Sequence, residues 1–434
     1  MKKKVLATML TMAIAAGSLT GCGDKVATTE AENPEAGTSV GTEEAGANPV
    51  DNLIAATDGT VSLRVWASEE DQDFTQGLID EFEALYPDVA FDIQLGAESE
   101  ASAKDDILTD IEAAPDVYAF ADDQINELVN AGALQEVVTT YTYDVANENV
   151  GGSVEAATID GKLYAYPMTA DNGYFLYYDA SVFSEEDVQS MDKMLEVAEA
   201  AGKKVAMIVG DAWYNYSFFK GAGYDVTLND DGVTNSCTWN AAGATDVAQA
   251  IIDLGTNDAF VNAADDAAIV TGVQDGTFAA VVSGVWNSDA FTETWGDNLG
   301  ATKLPTYTVA GEQVQMSSFS GYKLIGVNPH SDYIGWSMLL AEFLTNEENQ
   351  VARFNARGLG PANINAASSE EVQSAPAIAA LAAQAEYAVP QRVGGKYWDP
   401  ANTLGQTLIS GNPSGTDLQE LLDNAVEGIT SAVE

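Results

Sequence analysis

The chain has 434 residues, 46% of them hydrophobic, which is ample for a core and a length suited to two or three domains. Its 67 Asp and Glu against 17 Lys and Arg give a formal net charge of -50. Such a surface repels nucleic acid and anionic headgroups and excludes both as partners that bind by charge. Three lysines, Lys2 to Lys4, precede a short apolar run from Val5 to Ala16. That run is too short to span a bilayer and reads as an export signal. It ends in Leu19-Thr20-Gly21-Cys22, which resembles the lipobox of bacterial lipoproteins. Residues 1–21 would then be removed, with Cys22 lipidated as the mature first residue.

Residues 22–58 hold Ala, Thr, Glu, Gly, Asn and Pro with hardly a large apolar side chain. They cannot bury enough surface to offset ordering entropy and are expected to form a disordered acidic tether. A tether of that length reaches roughly 30–35 Å on average. Order is expected from Val61, where Val61, Leu63 and Val65 alternate with polar residues in a strand ending at Trp66. Leu78, Ile79, Phe82 and Leu85 follow at helical spacing and stop before Pro87. Val89, Phe91, Ile93 and Leu95 alternate again, so the unit is strand, helix, strand, with a parallel pair and a right-handed crossover. A helix around Ile107–Ile111, a strand over Asp116–Phe120 and a helix with Leu128 and Val129 complete the first series.

The alternation restarts with a strand over Lys204–Val209, a helix over Asp246–Leu254 and a continuous apolar strand over Thr277–Ser283, suited to a sheet covered on both faces. A strand at Tyr322–Val327 and helices at Gly335–Leu344, Asn349–Phe354, Pro376–Tyr387 and Asp417–Ile429 follow. The pattern is α/β, in two lobes with a sheet each.

The strand into Trp66, Gly161-Lys162-Leu163-Tyr164-Ala165-Tyr166-Pro167, Ser283-Gly284-Val285-Trp286, Leu304-Pro305-Thr306 and the helix with Phe343 and Leu344 occur in an order and spacing that resemble the maltose/maltodextrin-binding family. These are family 1 extracellular solute-binding proteins of ABC sugar importers. The resemblance runs from about Val61 to the C-terminus. It implies a type II periplasmic-binding-protein-like fold, each lobe a mixed sheet flanked by helices, with the ligand cleft between lobes. The expected lobes are 59–169 plus 320–366, and 172–316 plus 367–434. The chain is expected to cross between them near Thr169–Asn172, Gln315–Gly321 and Pro361–Ala366.

A sugar presents apolar C–H patches and hydroxyls together, so its site needs flat aromatic platforms beside carboxylates or amides. In open α/β sheets such sites lie at strand ends. The resemblance matches Phe120, Trp213, Tyr214, Trp286 and Trp398 to aromatic platforms. It matches Asp123 and Asp171 to first-lobe acids that accept bonds from hydroxyls and Asp211 to an acid next to the aromatic pair, and places Glu69 and Glu70 in a loop that supplies polar contacts. Phe120 replaces a tryptophan, and Gln124 and Asn402 replace arginines of the family, for which Arg392 or Lys396 would compensate. Trp239 and Trp336 are read as core.

Nothing in the chain calls for a cofactor or metal. Asn229-Asp230-Asp231-Gly232 lacks the spaced ligands of a calcium loop and reads as a turn. Cys237 has no nearby histidine and reads as a buried inert thiol, and His330 as an exposed turn residue. The expected function is a monomeric binding protein, not an enzyme. It would be lipid-anchored on the outer face of the cytoplasmic membrane of a Gram-positive-like bacterium, and would deliver neutral oligosaccharides, maltose and maltooligosaccharides first, to an ABC permease. The rival readings are a glycoside hydrolase built on a carboxylate pair such as Asp123 and Asp171, and a surface glycan adhesin.

Overall fold

The computed structural model of the protein describes residues 48–432. The signal segment, Cys22 and most of the expected tether lie outside the described residues. Among the described residues no helix is long and apolar enough to cross a membrane.

Order begins earlier than the composition suggests. Pro49–Ala55 is a helix, with the Asn48 side chain accepting from Val50 N and proline in its first turn. Leu53 and Ile54 pack on a core cluster that contains Trp336, and Trp336 Nε1 donates to Thr57 Oγ1 at 2.8 Å. A capped helix of about two turns with two neighbouring apolar residues finds a ready surface there, which composition averaged over a long window conceals.

The first sheet has the strand order Ala90–Ala97, Thr60–Ala67, Val117–Ala121, Lys323–Val327, Tyr166–Thr169. The first three strands run parallel, and Lys323–Val327 runs antiparallel to both of its neighbours. Helix Gln72–Leu85 links the outer parallel pair. It buries Thr75, Leu78, Ile79 and Phe82 and ends at Tyr86, one residue before Pro87. The two faces of this sheet pack into separate cores. Val117 and Ala119 of one strand enter the first, and Tyr118 and Phe120 enter the second, as the two-residue period of a strand requires.

The second sheet has the order Phe260–Asn262, Lys204–Met207, Phe278–Ser283, Phe175–Asp179, Leu299–Thr302. It repeats the scheme: three parallel strands, then antiparallel pairing onto Phe175–Asp179 and again onto Leu299–Thr302. Phe278–Ser283 is buried along its whole length, consistent with a sheet covered on both faces. Its core takes in helix Trp398–Ile409 and helix Leu418–Ile429.

The chain leaves the first sheet after Thr169 and enters the second at Phe175. It returns between Thr302 and Lys323 and leaves again between helix Glu347–Arg357 and helix Pro376–Gln384, whose Ala377 and Ala380 sit in the second core. Strand Ser318–Ser320 pairs in parallel with Ala388–Pro390 where these passages meet. Because strand Lys323–Val327 comes from the late part of the chain, the first sheet is not built from one continuous stretch, whereas all five strands of the second lie between Phe175 and Thr302.

Asn229–Gly232 is the turn of a hairpin between Val226–Leu228 and Asn235–Cys237, where Asp231 accepts from Val233 N, Thr234 N and Thr234 Oγ1. Its carboxylate is already used by the turn. Cys237 is half-buried, and burial pushes its thiol up to about 12, far from a thiolate at neutral pH. His330 is exposed, and Trp239 and Trp336 are fully buried.

Candidate functional site

A cavity of about 610 Å³ opens between elements of the two sheets. That is enough for an oligosaccharide of a few rings by the usual size of ligand pockets. Its first side is built from ends of the first sheet: Glu70 and Asp71 in the turn after Thr60–Ala67, Glu100 after Ala90–Ala97, and Asp123 and Gln124 after Val117–Ala121. Its second side is aromatic. Trp213 and Tyr214 open helix Ala212–Gly221, Trp286 lies in the turn after Phe278–Ser283, and Trp398 begins helix Trp398–Ile409. Trp398 thus stands on a helix N-terminus.

Two of these indoles, Trp286 and Trp213, are held in place by their own N–H groups. Trp286 Nε1 donates to Asp266 Oδ1 at 3.1 Å, and Asn287 Nδ2 donates to the same oxygen at 2.8 Å. Trp213 Nε1 donates to Gln391 Oε1 at 2.7 Å, and Trp213 N to Asp211 Oδ1 at 2.7 Å. The Trp213 and Trp286 rings lie 5.7 Å apart, and Tyr174 closes edge-on against Trp213 at 4.6 Å. Gly284 makes this possible: a Cβ there would stand 1.9 Å from the Trp286 ring, so only glycine lets the indole lie over the backbone. Rings fixed by hydrogen bonds lose little entropy when a ligand stacks on them.

The acids divide into two kinds. Asp71 pairs with Arg357 at 2.8 Å, Glu100 with Lys323 at 3.5 Å, and Asp105 with Lys104 at 3.4 Å. Asp123, Asp211 and Asp266 carry no such pair among the described residues. Burial pushes the Asp123 carboxyl up to about 7, with repulsion from Asp122 adding to it and the Gln391 amide and Lys104 opposing. Burial also raises Asp211 and Asp266 above the ordinary carboxyl value. Two buried polar atoms at this cavity have no partner among the described residues: Asp123 Oδ1 and the Tyr214 hydroxyl. Unpartnered buried groups are costly and mark where a ligand would supply the missing bond.

Of the residues matched from sequence, Trp213, Tyr214, Trp286, Trp398, Asp123, Asp211 and Glu70 line this cavity. Phe120, Asp171 and Glu69 do not. Phe120 is fully buried against Tyr118 at 5.9 Å, because its place in the strand turns it into the core. Asp171 is 1% exposed and accepts from Gly360 N, so its carboxylate fastens one passage between the sheets to another. Glu69 is exposed and points away. The Asp123–Asp171 pair that a hydrolase would need is therefore not assembled in the cavity. Arg392 is engaged by Asp122 at 2.8 Å, and Asn402 Oδ1 accepts from Ala212 N. Asp266 and Gln391 went unnoticed in the sequence. Asp266 opens helix Asp266–Gln274, and Gln391 directly follows Pro390. Neither belongs to a pattern of its own, since each is recruited by an indole from elsewhere in the chain. Among the described residues no group of three His, Cys, Asp or Glu side chains is placed to hold a metal ion.

The galactooligosaccharide-binding protein of Bacillus subtilis (strain 168) is 25% identical over 387 residues, 84% of this chain and 88% of that protein. A structure solved with acarbose is 30% identical, with a TM-score of 0.76, over 86% of this chain and 99% of that one. The maltodextrin binding protein from L. casei BL23, solved without ligand, is 26% identical, with a TM-score of 0.70, over 86% of this chain and all of that one. Its relatives are binding proteins rather than enzymes, and their two-lobe architecture matches the pair of mixed sheets described above. Residues 77–380 match the family described as bacterial extracellular solute-binding protein, and the chain belongs to that family.

Proposed function

We propose that the protein is the substrate-binding component of an ABC importer for neutral oligosaccharides, with maltose and maltooligosaccharides as its first ligands. The sugar stacks on Trp286 and Trp398 and on Trp213 or Tyr214, while Asp123 and Asp211 accept from its hydroxyls. The lobes, 59–169 plus 320–366 and 172–316 plus 367–434, close because the ligand touches both and binds the closed state better. The closed form docks on the permease. Lipid on Cys22 holds the protein at the outer face of the membrane, with residues 22–47 as the tether.

One observation carries this reading: three indoles and a buried, unpartnered tyrosine hydroxyl face unpartnered carboxylate oxygen across one cavity. That is the mixture of flat apolar surface and fixed polar groups that a sugar requires. The B. subtilis relative supports a second reading, galactooligosaccharides in the same cleft. Calorimetric titration with maltose, maltotriose, maltotetraose and galactooligosaccharides decides between them. Tight binding of the glucose series supports the first reading, and preference for the galactose series supports the second. Shortened sugars recovered after incubation, or no binding to any of them, would overturn both.

A further inference from the structure

The cations of the cavity are spent, and five of its acids are not. Lys104, Lys323 and Arg357 are its lining cations, and each already pairs with a carboxylate. Glu70, Asp123, Asp211, Asp266 and Asp399 line the same space and pair with no Lys or Arg among the described residues. These acids come from both sides of the cavity, so a ligand lying between the lobes has unneutralised charge above and below it. The Tyr214 hydroxyl, 4% exposed and without a partner, lies at the same wall. Burial leaves Asp123, Asp211 and Asp266 reluctant to ionise, a cost that a positive group from the ligand would relieve. The acids do not converge on a point where a metal ion would sit. Their spread suits a larger organic cation, and the face of Trp213 attracts positive charge as well, whereas Lys323 Nζ already lies 6.0 Å from the Trp286 ring centroid.

We propose that this cleft takes oligosaccharides bearing a protonated primary amine more tightly than their uncharged counterparts. The inference rests on the sugar-binding reading above and names the ligand chemistry that the charge of the site favours. The ammonium donates to the free Asp123 Oδ1 or to Asp211 and Asp266, while the sugar rings keep their stacking on the indoles. No bond is made or broken, and the gain is a charge-assisted hydrogen bond inside a partly desolvated cavity.

The test uses three kinds of trisaccharide, in an α-glucosyl and in a galactosyl series. One is unmodified, one carries a primary amine in place of a single 6-hydroxyl on each ring in turn, and one is that amine N-acetylated. Titrated calorimetrically into the protein at low salt, the best amine isomer should bind about tenfold tighter than both uncharged partners. The advantage should shrink in ~1 M salt, where the Debye length is short. It should also shrink in Asp123→Asn, with Asp211→Asn and Asp266→Asn as parallel variants. An amine no tighter than its acetylated form on any ring, or an advantage indifferent both to salt and to all three substitutions, would overturn the inference and leave the sugar-binding reading intact. Failure of every trisaccharide to bind would remove the reading and the inference together.

Discussion

The Arg392 guanidinium donates to the Asp122 carboxylate at 2.8 Å, from a residue whose own carbonyl accepts from Leu228 N of the hairpin 226–237. Asp122 begins the turn after a strand of the first sheet and is 1% exposed, and Tyr322 N also donates to it. Burial raises its carboxyl above the ordinary value, and Arg392 is the largest influence against that. The pair therefore fastens one lobe to the other beside the cleft. Arg392→Met leaves the carboxylate buried without a cation. It is expected to cost about 1–3 kcal/mol, below the range for a fully buried pair because the guanidinium is partly exposed. Urea denaturation measures the loss. Small-angle scattering of the sugar-free variant should show a larger radius of gyration than wild type, and an unchanged radius would mean that the pair does not hold the lobes together.

Asp123 faces Asp122 and Lys104, with the Gln391 amide beside it, and its carboxyl is pushed up to about 7. A carboxyl whose folded value lies above its unfolded one takes up a proton on folding between the two. Its ionisation therefore costs stability as pH rises. Asp123→Asn is expected to unfold a few degrees higher than wild type at pH 8, with the gap closing as pH falls toward 4. Scanning calorimetry across that range checks the trend, and a gap that does not vary with pH would count against the shifted carboxyl. The same substitution should weaken sugar binding at pH 8, which would make Asp123 a group kept for the ligand at the expense of the fold.

Asp171 is more deeply buried than Asp123, at 1% exposed, and serves the frame. Its carboxylate takes the Gly360 N–H, and a Cβ at Gly360 would stand 3.0 Å from its own Cβ. Asp171→Ala is expected to lose about 1–3 kcal/mol in denaturation, the range for leaving a buried amide unpartnered. Asp171→Asn, which retains an acceptor, should recover most of it. A large loss of sugar affinity in a fully stable Asp171→Ala protein would instead place this residue at the ligand.

Trp286 lies tilted beside Trp213 with its N–H already committed to Asp266 and Lys323 Nζ 6.0 Å from its ring centroid, so it meets a ligand through its ring and not through its N–H. Trp286→Ala should raise the dissociation constant for the bound sugar at least about tenfold, since a buried stacking contact is worth about a kcal/mol or more. Trp286→Phe should keep part of the affinity. Unchanged binding by calorimetry in the alanine variant would remove this ring from the site.

The elements that were legible in the sequence are those whose pattern answers to one neighbour. Val61, Leu63 and Val65 alternate because one face of their strand is buried, and Phe82 recurs at helical spacing because its helix lies on a single core. Trp286 was legible because Ser283 and Gly284 end an apolar strand, and a strand end is where an open sheet presents side chains. Phe120 was misplaced by the same logic. It sits one residue before the end of a strand buried on both faces, and nothing local says which face it takes. Asp171 was misread because its partner, Gly360, lies far off in sequence. Helices such as Ala212–Gly221, which is buried nearly all round, show little amphipathic contrast and so give no periodic signal.

Helix Pro49–Ala55 belongs to the folded body, and its removal tests where the tether ends. Gly335 lets it approach: a Cβ there would lie 2.7 Å from Leu53 Cδ1. Among the described residues Thr57 supplies the acceptor for the indole N–H of Trp336, a residue that is 1% exposed. A chain beginning at residue 48 should match the longer protein in urea denaturation, since it retains Asn48, Leu53, Ile54 and Thr57. A chain beginning at residue 58 should lose about 2 kcal/mol or more, from the apolar area of Leu53 and Ile54 returned to water and from the unpaired indole N–H. Its tryptophan emission should shift to the red as water reaches Trp336. Equal stability of the two chains would assign residues 48–57 to the tether after all, with the helix a passive guest on the surface of Trp336.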